Sequence, residues 1–396
     1  MRFSSLTDRI AGKTANAWAI HFAAITAQAK GEDVVVMSVG ESDWDSPQAV
    51  IDHATKLLHG GDTHYTEVIG RDALRSAVAT YARERHNIPA TMANVAMTVG
   101  CQNALFSSAA LLMDPGTEAL VPEPMYVTYE AAIGASGARL VPVPCPADMA
   151  FRPDVSAMEA AVTDRTRAIF MANPVNPTGV VFNRDELESI AAIARANDLW
   201  VVSDQVYADL VYDGDYVAIA ALDGMAERTV SLGSLSKSHA MTGWRTGWMI
   251  GPEELIDHMD RLAMAMTYGL PGFIQNASVT ALETQADFVE RMRADLKAKR
   301  DAATSALSQA PGLDILPAAS GMFLLIGVKG TGLTSADFCR RLFAEHGVSV
   351  LDGATFGDSS DQTIRLSFAG SYESVEEGCR RIKTFADGLQ IGGATT

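Results

Sequence analysis

Ser234-Leu235-Ser236-Lys237-Ser238-His239-Ala240-Met241-Thr242-Gly243-Trp244-Arg245 crowds hydroxyls, an amine and a guanidinium into twelve positions. A lysine amine changes its pKa readily and can condense with a carbonyl. Serine hydroxyls, with an arginine eight residues downstream, can grip a phosphate through charge-assisted hydrogen bonds. Together they suit a phosphate-bearing aldehyde. A lysine by itself is ordinarily a solvated surface group, so the reading depends on what else converges on Lys237.

Two short apolar runs supply the convergence. Ala168-Ile169-Phe170-Met171 opens into Asn173-Pro174-Val175-Asn176-Pro177-Thr178-Gly179, and Leu199-Trp200-Val201-Val202 ends at Ser203-Asp204-Gln205-Val206-Tyr207. Both read as buried strands, and open α/β sheets bind ligands beyond the carboxyl ends of their strands. Asn176, Asp204, Tyr207 and Lys237 are therefore expected to meet, although 61 positions separate the first from the last. A carboxylate closing an apolar strand is costly unless partnered; the plain alternative for Asp204 is a cap at the turn. Thr98-Val99-Gly100-Cys101-Gln102-Asn103-Ala104 reads as a strand, a glycine turn and a helix start. Free N–H groups there favour an anion, although an ordinary strand-to-helix turn has the same pattern. Arg365, alone in the apolar strand Thr363–Phe368, needs either a substrate carboxylate or an internal ion pair.

These residues together resemble the class I/II aminotransferases of pyridoxal-phosphate fold type I, from Val39-Gly40-Glu41 to Ile364-Arg365-Leu366-Ser367. Within that family, Glu123–Glu130 and Ser234–Arg245 are similar to the arginine:pyruvate transaminases. The resemblance implies an α/β, three-layer fold: a mostly parallel seven-stranded sheet with one antiparallel strand in a large domain, plus a smaller α+β domain. It implies pyridoxal 5'-phosphate held by Lys237, with Asp204 facing the ring nitrogen and Asn176 and Tyr207 donating to the ring oxygen. The phosphate would lie among the backbone of Cys101 and Gln102, the hydroxyls of Ser234 and Ser236, and Arg245. Tyr126 would stack over the ring, core packing being its alternative and that of Tyr65. Tyr65, in Thr63-His64-Tyr65-Thr66, would reach the phosphate of a neighbouring subunit, which makes the enzyme a homodimer with shared sites. Arg365, Gly40 and Asn176 would hold the substrate carboxylate, and Pro124 and Pro177 match positions of cis bonds. Lys237, Asp204 and Tyr207 are the expected catalytic residues, the last two sharing a helical face. Cys101, at a helix start, is expected to have its thiol pKa lowered. Gln205 departs from the glutamate the family often has.

The activity implied is transfer of an amino group from an L-amino acid to a 2-oxo acid such as pyruvate, by a ping-pong mechanism. Arginine is the first candidate donor, because a dicarboxylate would need a second cation beside Arg365. No lysine or arginine lies between Arg85 and Arg139 or between Arg261 and Arg291. A guanidinium would want carboxylates or aromatic faces, and Glu41, Asp43, Trp18 and Trp44 are the candidates near Gly40, solvated or core roles being their alternative. Two rivals use the same framework: a β-eliminating lyase, marked by pyruvate and ammonia release without acceptor, and an aminotransferase-like ligand-binding protein.

The elements that must position these groups are legible as alternation. Val95–Val99, Ala119–Val121, Arg139–Val143, Ala168–Met171, Trp200–Ser203, Thr229–Leu232 and Gly247–Ile250 read as strands, with a helix over Cys101–Met113 and others between them. Leu255–Tyr268 and Phe288–Leu307 read as helices. Gly321–Val328, Ser335–His346, Val348–Leu351, Thr363–Phe368 and Val375–Leu389 form a strand and helix mixture. The expected domains are residues 1–45 (an arm and part of the small domain), 46–290 (cofactor binding) and 291–396 (small domain).

Composition bounds the partners. Among 396 residues, 48% are apolar, and the net charge is −17. That charge argues against nucleic acid, and no apolar run is long enough for a membrane span. Four scattered cysteines and eight scattered histidines point to reduced thiols in a cytoplasmic protein without a metal site. The stretch Ala17–Ala27 imitates a signal peptide, but Asp8 and His21 interrupt its pattern. Trp18, Phe22, Ile25 and Ala29 instead fit one face of an amphipathic arm helix.

Overall fold

The computed structural model describes residues 1–11 and 17–393, the last four of them by backbone alone. Its strands are β1 (Val35–Val36), β2 (Val95–Val99), β3 (Glu118–Glu123), β4 (Arg139–Pro144), β5 (Thr166–Ala172), β6 (Trp200–Asp204), β7 (Thr229–Ser234), β8 (Thr246–Ile250), β9 (Asp314–Ile315), β10 (Phe323–Gly327), β11 (Val348–Ser349), β12 (Leu351–Asp352) and β13 (Thr363–Ser367).

Seven of these form one sheet in the order β2-β8-β7-β6-β5-β3-β4. Only β8 runs antiparallel, against both β2 and β7, as the resemblance implied. Ile169, Phe170, Val201, Val202, Val230 and Leu232 are all buried, which fits a parallel sheet covered on both faces. The helix Arg184–Ala196 shows how the cover is made. It buries Leu187, Ile190, Ala191, Ile193 and Ala194 on one stripe and starts at a capping box between Asn183 and Glu186, which satisfies two otherwise free N–H groups.

Register lines up the functional end of the sheet. Ala172 pairs with Asp204, Ser234 with Gly247, and Val99 with Thr246. The ends of β2, β5, β6 and β7 therefore share one rim. A smaller antiparallel sheet, β12-β13-β10-β9, sets Arg365 opposite Leu325 and Leu351. Its core combines Leu324, Ile364 and Leu366 with Met292 and Leu296 of the helix Ala286–Leu307.

Three readings of the sequence need correction. Val348–Leu351 is not one strand: β11 pairs in parallel with β1, whereas β12 joins β13. The arm forms the helix Ala19–Ala29, but Phe22 and Ile25 are 65% and 42% exposed while Ala24 and Ala27 are buried. Phe22 and Ile25 of the expected stripe thus face outward, whereas Trp18, just before the helix, is partly buried. The helix Gly272–Thr284 was not anticipated.

Candidate active site

A cavity of about 240 Å³ opens at the rim of the large sheet. Lys237, Asp204, Tyr207, Asn176, Tyr126, Cys101, Gln102, Ser234, Ser236, Arg245, Arg365 and Gly40 all line it. Every expected site residue is therefore brought together except Tyr65.

Asp204 closes β6, and its Oδ1 accepts the Val206 N–H at 3.1 Å and the Cys101 thiol at 3.5 Å. The first bond is the turn cap considered as its alternative, yet Oδ2 takes no donor among the described residues, and Asp204 lines the cavity. Burial pushes the Asp204 carboxyl up to about 6, against the lowering by its hydrogen bonds and by Lys237. Tyr207 does not share a helical face with it. Residues 205–207 form a turn, and Tyr207 precedes a short 3-10 segment, Ala208–Leu210. Burial raises the Tyr207 hydroxyl pKa above its usual range, so it stays a donor.

Helix Gly100–Leu112 begins at the cavity, with Cys101 and Gln102 of its first turn in the lining. Gly100 has φ +75°, and a Cβ there would stand 2.4 Å from Arg245 Nη2. Only glycine allows the guanidinium and the helix start to close on one point. Arg245 itself occupies the left-handed region at φ +56° and donates to the Thr242 carbonyl at 2.7 Å. Ser234 Oγ accepts the Ser236 N–H at 3.4 Å. Free N–H groups, hydroxyls and a guanidinium around one point make an anion site. The expected lowering of the Cys101 thiol is not found. Burial first, and then the Asp204 charge, push it well above its usual value, outweighing Arg245.

In the same cavity, Lys237 Nζ donates to the Gly40 carbonyl at 2.6 Å. Burial brings its amine down to about 8, despite the opposing pull of Glu41. Arg365 is 2% exposed. Its Nη1 donates to Asn176 Oδ1 at 3.0 Å and its Nη2 to the Ser38 carbonyl at 2.8 Å. It lies 3.9 Å above the Phe323 ring, and its Nε is buried without a partner. No carboxylate among the described residues forms an ion pair with it, so the internal-pair alternative fails. Burial lowers its pKa to about 10, still charged at neutral pH.

Tyr65 is 86% exposed and stacks edge-on with Tyr268, ring centroids 5.1 Å apart; it is not a core residue. Asp43 pairs with Lys299 at 2.7 Å, and Trp44 Nε1 donates to Asp295 at 3.0 Å. Neither meets the cavity. Sequence reasoning missed Phe323 and Thr242, which do line it. Phe323 had a signal, an aromatic opening a strand just after Gly321. The peptide bonds before Pro124 and Pro177 are cis as expected, and so is the one before Pro174.

Comparison with known proteins agrees with this geometry. The chain is 44% identical to an arginine–pyruvate transaminase of Pseudomonas aeruginosa, across 96% of this chain and 97% of that one. It is 35% identical to aromatic-amino-acid aminotransferase 2 of Thermococcus litoralis, across 89% and 91%. Aspartate aminotransferase from Thermus thermophilus, solved with maleate, superposes with a TM-score of 0.92 at 30% identity, covering 97% of this chain and all of that one. The model of the family described as aminotransferase class I and II matches residues 32–382, and the chain belongs to that family.

Proposed function

We propose that this aminotransferase takes its amino group from arginine and passes it to pyruvate, with Lys237 as the group that moves the substrate proton. The cofactor of the family is pyridoxal phosphate, and the donor set fits it. An amine, an anion site and a carboxylate whose Oδ2 takes no donor among the described residues line one cavity, and at Gly100 there is a cradle that a Cβ would fill. When bound, the cofactor supplies an electron sink that makes the substrate Cα–H bond acidic.

Lys237 would hold the cofactor and, once displaced by the substrate amine, take the Cα proton. An amine brought down to about 8 is near the working pH, which suits a general base. Asp204 Oδ2 would keep the ring nitrogen protonated, and Tyr207 and Asn176 would orient the ring oxygen. Tyr126 would cover the ring. Cys101, Gln102, Ser234, Ser236 and Arg245 would hold the phosphate. Arg365, with Asn176 and the backbone at Gly40, would take the α-carboxylate, the ligand that the buried Nε without a partner calls for. Amino donor and acceptor would use the one cavity in turn, which is ping-pong kinetics.

The donor reading rests on one observation. Among the described residues three cations line the cavity, Lys237, Arg245 and Arg365, and each has a task, so none of these three is spare for a side-chain carboxylate. The Pseudomonas relative's name favours arginine and pyruvate. Comparing kcat/KM for arginine, lysine, alanine and aspartate, with pyruvate and with 2-oxoglutarate, is the test; a clear preference for aspartate overturns it.

The same reading includes a homodimer. Tyr65, Tyr268, Met266 and Phe106 are exposed, and Met266 lies against Asn103 on the helix that starts at Gly100. An apolar surface so near the phosphate end suits a partner that supplies Tyr65 to the site. No helix among the described residues is long and apolar enough to cross a membrane, and the four cysteines are free. A cytoplasmic setting fits both. The organisation into an arm, residues 46–290 and residues 291–396 belongs to this reading as well.

A further inference from the structure

Four residues near Gly40 had the chemistry to meet a cationic side chain, and the fold divides them. Asp43 and Trp44 are committed to Lys299 and Asp295 on the helix Ala286–Leu307. Trp18 is part of the cavity wall, and Glu41, exposed and outside the lining, is joined to it through Thr242. Trp18 lines the cavity together with Gly40, Phe323 and Arg365. Its ring meets the His21 imidazole edge-on, with centroids 5.5 Å apart. His21 Nδ1 is 2.9 Å from Ser38 Oγ, and the Ser38 carbonyl accepts from Arg365. A chain of direct contacts therefore ties this wall to the carboxylate-holding arginine. The Glu41 carboxylate accepts the hydroxyl of Thr242, another lining residue. No lysine, arginine or histidine among the described residues forms a salt bridge with Glu41.

A planar guanidinium stacks on an indole face and pairs with a carboxylate in bidentate fashion. We propose that Trp18 and Glu41 form the side-chain subsite that selects a guanidinium-bearing amino donor, a proposal that rests on the donor reading above. Arg365 holds the α-carboxylate at one end of the substrate, and Trp18 and Glu41 receive the far end. A neutral side chain of the same shape gains the packing but not the charge.

Citrulline provides that neutral shape, with a urea in place of the guanidinium. With pyruvate as acceptor, the holoenzyme is expected to prefer arginine, and Glu41→Gln to lower the arginine-to-citrulline ratio of kcat/KM about tenfold. Trp18→Leu should lower it by a similar factor, and Trp18→Phe should restore part of it. Equal losses for both substrates in Glu41→Gln and Trp18→Leu would mean a merely structural role and would overturn the proposal. Binding of 5-guanidinopentanoate and 5-ureidopentanoate to the holoenzyme, followed by calorimetry, gives a readout apart from turnover. Glu41→Gln should weaken the first and not the second, and Trp18→Leu should weaken both, the first more than the second. If the unaltered enzyme does not turn over arginine, the donor reading fails, and calorimetry decides the subsite alone. Guanidinium binding that Glu41→Gln weakens keeps it; equal affinity for the two compounds sinks it.

Discussion

Lys299 and Arg300 sit side by side on the helix Ala286–Leu307, buried and surrounded by carboxylates. Lys299 Nζ is 2.7 Å from Asp43 and 2.9 Å from Asp295, and Arg300 joins Asp213 and Asp301. Arg365 is no less buried, yet its hydrogen-bond partners are an amide oxygen and a carbonyl. The hydrogen-bond partner of Lys237 among the described residues is the Gly40 carbonyl. A cation held without an anion, buried as Arg365 is or partly buried as Lys237 is, is a standing cost, and a fold that retains both in one cavity keeps a place for anionic or carbonyl ligands. The matched pair belongs to the architecture, and the unmatched pair belongs to the chemistry.

Removing the unmatched cations should therefore damage turnover rather than folding. Lys237→Ala is expected to lower amino transfer by about 10³-fold or more, since both the cofactor anchor and the general base disappear. Single-turnover absorbance measures it, and a loss below tenfold would leave the lysine without its role. Arg365→Met should lower kcat/KM by about 10²-fold for every amino donor, mostly through KM, because one charge-assisted pair is lost.

Stability sharpens the contrast. Arg365→Met is expected to leave the thermal midpoint of the unliganded protein unchanged or raised, because it removes an uncompensated buried charge. Lys299→Met should cost about 1–3 kcal/mol, since it strands Asp43 and Asp295, with allowance made for their partial exposure. Equal destabilisation by the two substitutions would erase the distinction between the pairs.

The pH dependence follows from Lys237. Its amine is mostly protonated below about 8 and mostly free above, and only the free amine attacks a carbonyl. Uptake of pyridoxal phosphate by the unliganded protein should rise about tenfold from pH 7 to pH 9 and then level. A flat profile, or one that levels only near the ordinary lysine value, contradicts the burial effect. The smallest effect concerns Cys101. Held up by burial and Asp204, it should react with iodoacetamide at pH 7.5 more slowly than free glutathione, as intact mass spectrometry would follow; faster labelling would contradict that.

The rim of the sheet was legible because apolar runs end abruptly in Asn176, Asp204 and Ser234. Arg365 was legible as the single charge in an apolar strand. What escaped depends on distant partners. Nothing near Asp43 or Trp44 indicates Lys299 or Asp295, more than 250 positions away. The Cys101 thiol answers to its burial and to Asp204, 103 positions on, rather than to its own helix start. Tyr207 was placed on a helix because its spacing from Asp204 allowed one, but the Val206 N–H bonds to the Asp204 side chain and makes a turn. The outward stripe of Phe22 and Ile25 has the same period as a buried one, so pattern alone gives the helix and not the face it hides.

Borohydride reduction of the holoprotein, followed by peptide mapping, addresses Lys237 most directly. One reduced pyridoxyl group should be found, on the peptide spanning Ser234–Arg245 and at Lys237, and none in Lys237→Ala. An adduct on any other lysine, or an unaltered protein that carries no reducible cofactor, would contradict the assignment of this cavity.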